Sequence, residues 1–178
     1  SIVNEYHQRI KIYNKEGFDE ATRKIEYYKP DAGSKEKVSS ITAVTYNLEK
    51  GKIVKSKASK KDIFDEQLSK YYSQEKITLP NIKKGSVIEI EYKLTSPFVT
   101  SIDQLEFQHH IPVKKLSCII EIPEYFQFKK TGRGYYFITP EETTENRSVS
   151  WTIAPDRQDF NRSRDFENKK VDFRVDIQ

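Results

Sequence analysis

The residues able to do chemistry are few and scattered. The single cysteine, Cys118, would act as a nucleophile only with an exposed thiolate and a nearby base. It shares parity with Leu116, Ile120 and Ile122 in a run that alternates as a strand does, which is the pattern of a buried, inert thiol. The three histidines are His7, His109 and His110. Neighbours on a strand face opposite sides, so His109 and His110 cannot meet at one metal without a bulge. No HxH pair, HExxH helix or CxxC motif occurs, so the expectation is ordinary strand histidines, no metal and no cofactor. Paired carboxylates could serve glycoside hydrolysis. Glu89 and Glu91 lie on one face, but they alternate with apolar residues and read as the wet side of a strand. Glu141, Glu142, Asp156, Asp159 and Asp165 fall in stretches that read as loops. Nothing selects an acid and a base, and Gly132-x-Gly134 lacks the rest of any phosphate-binding fingerprint. The expectation is therefore a chain with no catalytic residues, not an enzyme.

Binding is a different matter. Tyrosine doublets stand at Tyr27-Tyr28, Tyr71-Tyr72 and Tyr135-Tyr136. On a strand, one ring of each doublet must face outward, where it can stack on a sugar or a partner domain. The plainer alternative is pairing across strands. The stretch from Pro155 to Lys170, PDRQDFNRSRDFENKK, joins two well-patterned strands without a pattern of its own. It carries Arg157, Phe160, Arg162, Arg164 and Phe166, and arginine and aromatic residues are enriched at interface cores. Loops longer than about 12–15 residues are uncommon unless functional or disordered. These five residues are the candidate partner-binding set, on an exposed, mobile segment or an irregular edge strand.

The elements that would position these groups are strands. The clearest lies in Ile77 to Phe98, where Ile88, Ile90, Tyr92 and Leu94 oppose Glu89, Glu91 and Lys93, a period of two. Asn81 to Gly85 reads as a turn, making the segment up to Leu79 an antiparallel hairpin partner. Similar turns at Asn14–Gly17 and Asn47–Gly51 favour a meander of hairpins. Val38 to Tyr46 has apolar residues on both parities, as a strand covered on both faces would. Ser59 to Asp62 reads as a helix start, with a short helix to about Leu68. Leu105–His110, Lys115–Ile122, Phe126–Lys130, Gly134–Thr139, Ser148–Ala154 and a last run from Val171 complete the strands, with an acidic loop over Pro140–Asn146. The expected fold is all-β: an antiparallel β-sandwich of roughly ten to twelve strands with one short helix, a closed barrel being the alternative. Trp151 and Ile153 are expected in its core.

Composition sets the outer bounds. The 178 residues suit a single domain, 1–178. Apolar residues make up 35% and aromatic ones 12%, so large rings must help fill the core. Charged residues reach 33% with both signs mixed, and with only 6 Gly and 7 Pro the composition reads as a well-solvated globular domain and not a disordered one. The net charge of +4 is spread along the sequence; this is a solvated surface, not a nucleic-acid patch. No apolar run approaches the roughly 18–20 residues that span a bilayer. The chain starts at Ser1, not Met, and reads as an excised or processed piece.

Four segments together resemble a known family: RIKIYNKEGFDEATRKIEYY (Arg9 to Tyr28), ITAVTYNLEKGKIVKSKASKKDIFDE (Ile41 to Glu66), ITLPNIKKGSVIEIEYKLTSPF (Ile77 to Phe98) and LEFQHHIPVKKLSCIIEIPEYFQFKK (Leu105 to Lys130). They resemble the domain of unknown function 3857, with Leu105 standing where an aromatic residue is usual. The resemblance implies a β-sandwich accessory module found on the N-terminal side of a transglutaminase-like domain in exported bacterial proteins. It further implies a periplasmic, cell-surface or secreted location, and a downstream domain that carries the catalytic groups. That domain would be the partner, with a polypeptide or glycan as further ligands.

Overall fold

The computed structural model describes residues 1–100, 105–106, 109–123, 126, 141–152 and 161–176, the last two stretches through their backbone. The chain is all-β. Its strands are β1 (Ile2–Lys11), β2 (Thr22–Tyr28), β3 (Lys37–Glu49), β4 (Lys52–Lys57), β5 (Ile63–Gln67), β6 (Tyr72–Thr78), β7 (Val87–Ser96), β8 (Lys115–Pro123), β9 (Glu141–Thr152) and β10 (Asn161–Asp176). They form three antiparallel sheets, ordered β1-β7-β3-β4, β2-β6-β5 and β8-β10-β9. Two compact units contain them, Ser1–Asp103 and Gln104–Gln178.

The first unit is a sandwich. Its core is built from Ile25 on β2, Ala43 on β3, Ile77 on β6, and Ile88, Ile90 and Tyr92 on β7, closed by Ile12, Ala21 and Leu79. The alternation read from β7 holds: Ile88, Ile90, Tyr92 and Leu94 are all buried. On β8 the same alternation orders the exposure, Leu116, Cys118, Ile120 and Ile122 being the more covered set, but all four are half-buried, so Cys118 is not the fully buried thiol that its parity suggests.

The expected hairpin of β6 with β7 does not form. Ile77 and Leu79 face the core from one sheet, Ile88 and Ile90 from the other. The two strands stack face to face instead of lying side by side. Residues 79–86 form the bridge between sheets, fastened at one end by Leu79 N–H to Ala21 C=O (2.9 Å) and at the other by Gly85 N–H to Ile12 C=O (2.8 Å). Gly85 takes φ +90° there, a conformation that L side chains resist. A buried polar plug locks the bridge: Ser86 Oγ donates to Asn47 Oδ1 (2.5 Å), and Asn47 Nδ2 donates to the Asn81 carbonyl (2.8 Å).

Other departures share one cause, local geometry overriding a simple period. On β3 the pairing with β7 slips between Ser39 and Thr42, and Ser40 sits at φ 54°. This bulge swaps parity, so Val38, Ile41 and Ala43 all pack on the same core. The apolar residues on both parities therefore mark a bulge, not a strand covered on both faces. Asn47 stays in β3, and the hairpin to β4 turns on Lys50 and Gly51, both with positive φ. Where the sequence suggests only a turn at Asn14–Gly17, Lys15–Ala21 is a 3-10 helix whose Asn14 side chain accepts from Gly17 N–H. Phe18 and Ala21, three residues apart, both meet the core. The helix expected over Lys60–Leu68 is a single 3-10 turn, Lys60–Asp62, held by Asp62 accepting from Ser59 N–H and Oγ. The chain then extends as β5, because the ladder with β6 satisfies its backbone and Ile63 packs on the core.

In the second unit, β10 is the middle strand. It pairs with β9 over Asn161–Asp172 and with β8 over Asn168–Asp176. The acidic loop expected at 140–146 is strand from Glu141 onward, and the patternless stretch is strand from Asn161 onward. Leu105, Glu106 and His109 are not in a strand. Of the strand expected at Phe126–Lys130 only Phe126 is described, and it is not in a strand; the strand expected at 134–139 and the core role of Ile153 fall outside the described residues. Trp151 lies on β9, opposite Arg162.

Candidate functional site

Two clusters on the first unit gather more than one chemically able side chain. The first lies on the outer face of the β1-β7-β3-β4 sheet. Antiparallel pairing of β1 with β7 sets His7 opposite Glu91 and Arg9 opposite Glu89. All four have the outward parity, so they meet above one patch of sheet. His7 Nε2 lies 2.8 Å from Glu89 Oε1 and 3.7 Å from Glu91 Oε1. Arg9 Nη2 donates to the same Glu89 oxygen at 2.5 Å. From β3, Tyr46 O–H donates to Glu89 Oε2 at 2.7 Å, and Lys55 on β4 lies over the Tyr46 ring, 5.4 Å from its centre.

Glu89 is thus a shielded carboxylate on a face expected to be wet, its side chain only 14% exposed. The hydroxyl of Tyr46 does most to hold its pKa down, at about 2. Partial burial opposes this, and His7 and Arg9 add to the lowering. A carboxyl with so low a pKa is a poor general base near neutral pH. Glu75, whose pKa burial pushes up, belongs to β6 in the other sheet.

The second cluster is aromatic and sits at the end of the β2-β6-β5 sheet. Tyr28 on β2 is the register partner of Tyr72 on β6. Its ring is 5.6 Å from Tyr72 at 78°, 5.5 Å from Phe98 at 78°, and 6.4 Å from Tyr71 at 9°. Tyr71, Tyr72 and Phe98 remain 48%, 49% and 37% exposed. Lys70 lies over the Tyr71 ring. As expected of a strand doublet, Tyr27 turns inward and is buried while Tyr28 faces out. Tyr28 thus joins the Tyr71-Tyr72 doublet in one patch, through the cross-strand pairing of β2 with β6. The Tyr27 hydroxyl donates to Asp65, and Lys29 closes an ion pair with the same carboxylate, pulling the Asp65 pKa down. A depression of about 360 Å³ beside it is lined by Lys29, Pro30, Asp31, Lys35, Asp65, Gln67 and Ser73. Its best-placed acid is already neutralised.

Of the five residues singled out for partner binding, Arg157 and Phe160 lie outside the described residues. Arg162, Arg164 and Phe166 stand at alternate positions of β10, opposite Trp151, Val149 and Arg147 of β9. The structure therefore sets these three on one parity of a regular strand. The sequence alone does not show the His7–Glu89–Glu91 group: His7 and Glu89 are 82 positions apart, and only the strand register joins them. The readable signal was the shared outward parity of His7 with Arg9 and of Glu89 with Glu91.

Comparison with known proteins decides the family. Residues 1–155 match the family described as a domain of unknown function with a solved structure (DUF3857). The chain belongs to this family. No curated protein and no solved structure gives a significant match. Among the described residues of this family member, no helix is long and apolar enough to cross a membrane.

Proposed function

We propose that this DUF3857 domain is a non-catalytic interaction module of an exported, transglutaminase-like protein. Its aromatic patch would dock the downstream domain or a polypeptide presented to it. The observation that carries the reading is the exposed nest of Tyr28, Tyr71, Tyr72 and Phe98. Amphipathic rings of this kind anchor protein interfaces. The low pKa of Glu89, which makes it a poor general base near neutral pH, favours a binding role for its cluster over a hydrolytic one. Arg157, Phe160, Arg162, Arg164 and Phe166 remain the proposed second contact, on or beside β10. The periplasmic or cell-surface setting rests on the family resemblance.

Binding of a glycan is the second reading, and the near-parallel Tyr28 and Tyr71 rings favour it. A sugar platform wants coplanar open rings, however, and Tyr72 and Phe98 stand steeply to Tyr28. That geometry suits an inserted side chain better than a flat pyranose. The deciding experiment titrates this chain with the separately purified downstream domain and, in parallel, probes a glycan array. Replacing Tyr71 and Tyr72 together by Ala is expected to weaken the protein contact by about tenfold or more. Undiminished affinity in that variant removes the docking reading, and a retained glycan lost in the same variant replaces it with the second.

A further inference from the structure

The outer-face cluster points beyond docking. We propose that His7, Glu89 and Glu91 form a binding site for one divalent transition-metal ion of the zinc class. The ligand atoms are one imidazole nitrogen and two carboxylate oxygens, all within 4.8 Å of one another. On a tetrahedral ion with bonds of about 2.1 Å, neighbouring ligand atoms sit about 3.4 Å apart. The distances from His7 Nε2, 2.8 Å to Glu89 and 3.7 Å to Glu91, bracket that edge. The three ligand atoms are already gathered within 4.8 Å, so the adjustment left for an ion is on the scale of side-chain rotation. Two strands of one ladder hold the three positions: His7 is directly opposite Glu91 and diagonal to Glu89. Such a frame holds ligands more firmly than a loop does.

The donor set selects the metal. Calcium and magnesium prefer all-oxygen shells, whereas imidazole with carboxylates suits zinc and its first-row neighbours. Two carboxylates and a neutral imidazole balance the charge of a divalent ion. His7 and Glu91 are 54% and 53% exposed, so the ion can enter and its remaining position faces water.

One group competes. Arg9 donates to the Glu89 oxygen that faces His7. Metal and guanidinium cannot share that oxygen at full strength, since both are cations at bonding distance. Arg9 is 63% exposed and can swing into solvent. The site therefore works as an exchange: a bound ion displaces Arg9, and Arg9 covers the carboxylate when the ion leaves.

This exchange separates a metal site from a plain ion-pair network. The test titrates zinc chloride into the chain in a buffer that does not chelate zinc, followed by calorimetry and by NMR of the histidine ring nitrogens. One equivalent is expected per chain, with the His7 Nε2 resonance shifting. His7→Ala is expected to weaken that equivalent by about tenfold or more, and Glu91→Gln severalfold. Arg9→Gln is expected to tighten it, because the competitor is gone. These residues are on the surface, so circular dichroism will show each variant folded before titration. Zinc binding by His7→Ala equal to that of the unmodified chain assigns the ion to other groups, such as His109 and His110, and overturns the proposal. So does an Arg9→Gln variant that binds more weakly.

Discussion

Glu89 shows how much one side chain can concentrate. It stands on the polar face of β7, yet it accepts from Tyr46, His7 and Arg9 of two flanking strands. Its folded pKa of about 2 lies below its ordinary value of 4.5. A depressed carboxyl contributes stability that is complete above the unfolded value and lost as pH falls through the folded one. Chemical unfolding in the presence of a chelator is therefore expected to show stability falling from about pH 4.5 towards pH 2, with a shallower fall in Glu89→Gln. An unchanged slope in that variant would mean that Glu89 makes no net contribution. Asn47 makes the matching case inside the core. It is buried, it receives Ser86 Oγ, and it donates to the Asn81 carbonyl. Asn47→Ala strands both partners, a loss of about 1–3 kcal/mol in urea unfolding. A loss below about 0.5 kcal/mol would mean that water takes over both bonds.

At the scale of elements, the period-two face was the most legible feature. Ile88, Ile90 and Tyr92 were readable as core from alternation alone, and they are core. Ile90→Ala is expected to cost about 2–5 kcal/mol, the range for emptying a buried aliphatic site. A measured loss near zero would contradict its position. Alternation says which face of a strand is dry but not which strand lies beside it. That is why β6 and β7 looked like hairpin partners and proved to face each other across the core. The bulge at Ser40 was hidden for a related reason. It reads as a defect in the period, and a defect in the period also describes a strand covered on both faces. The 3-10 helix Lys15–Ala21 was missed because Phe18 and Ala21 are too few to establish a period of three. Both clusters of the candidate site depend on register, which side-chain pattern does not encode beyond the first turn. Tyr28 meets Tyr72 across 44 residues of chain only because β2 and β6 align as they do.

For the molecule as a whole, the open question is what meets the second unit. Strand β10 is unequally paired along its length. Asn168–Asp172 is bonded on both sides, by β8 and β9, whereas Asn161–Glu167 is bonded by β9 alone among the described residues. From Asn161 onward that segment is regular in conformation, and Asn161–Glu167 presents an edge among the described residues. A strand edge offers unpaired N–H and C=O groups that another chain can extend or a neighbouring domain can cover. Arg162, Arg164 and Phe166 lie along that edge at alternate positions. If a downstream domain packs on this edge, as proposed above, the contact would protect these amides and leave the doubly paired ones little changed. Hydrogen exchange on this chain and on a longer protein that includes the following domain is therefore expected to differ over residues 157–166. Slowing should be confined to that stretch, while 168–172 exchange slowly in both. Equal, fast exchange of residues 157–166 in the two proteins would mean that this edge faces water in the full protein, and the interaction would then rest on the aromatic patch alone.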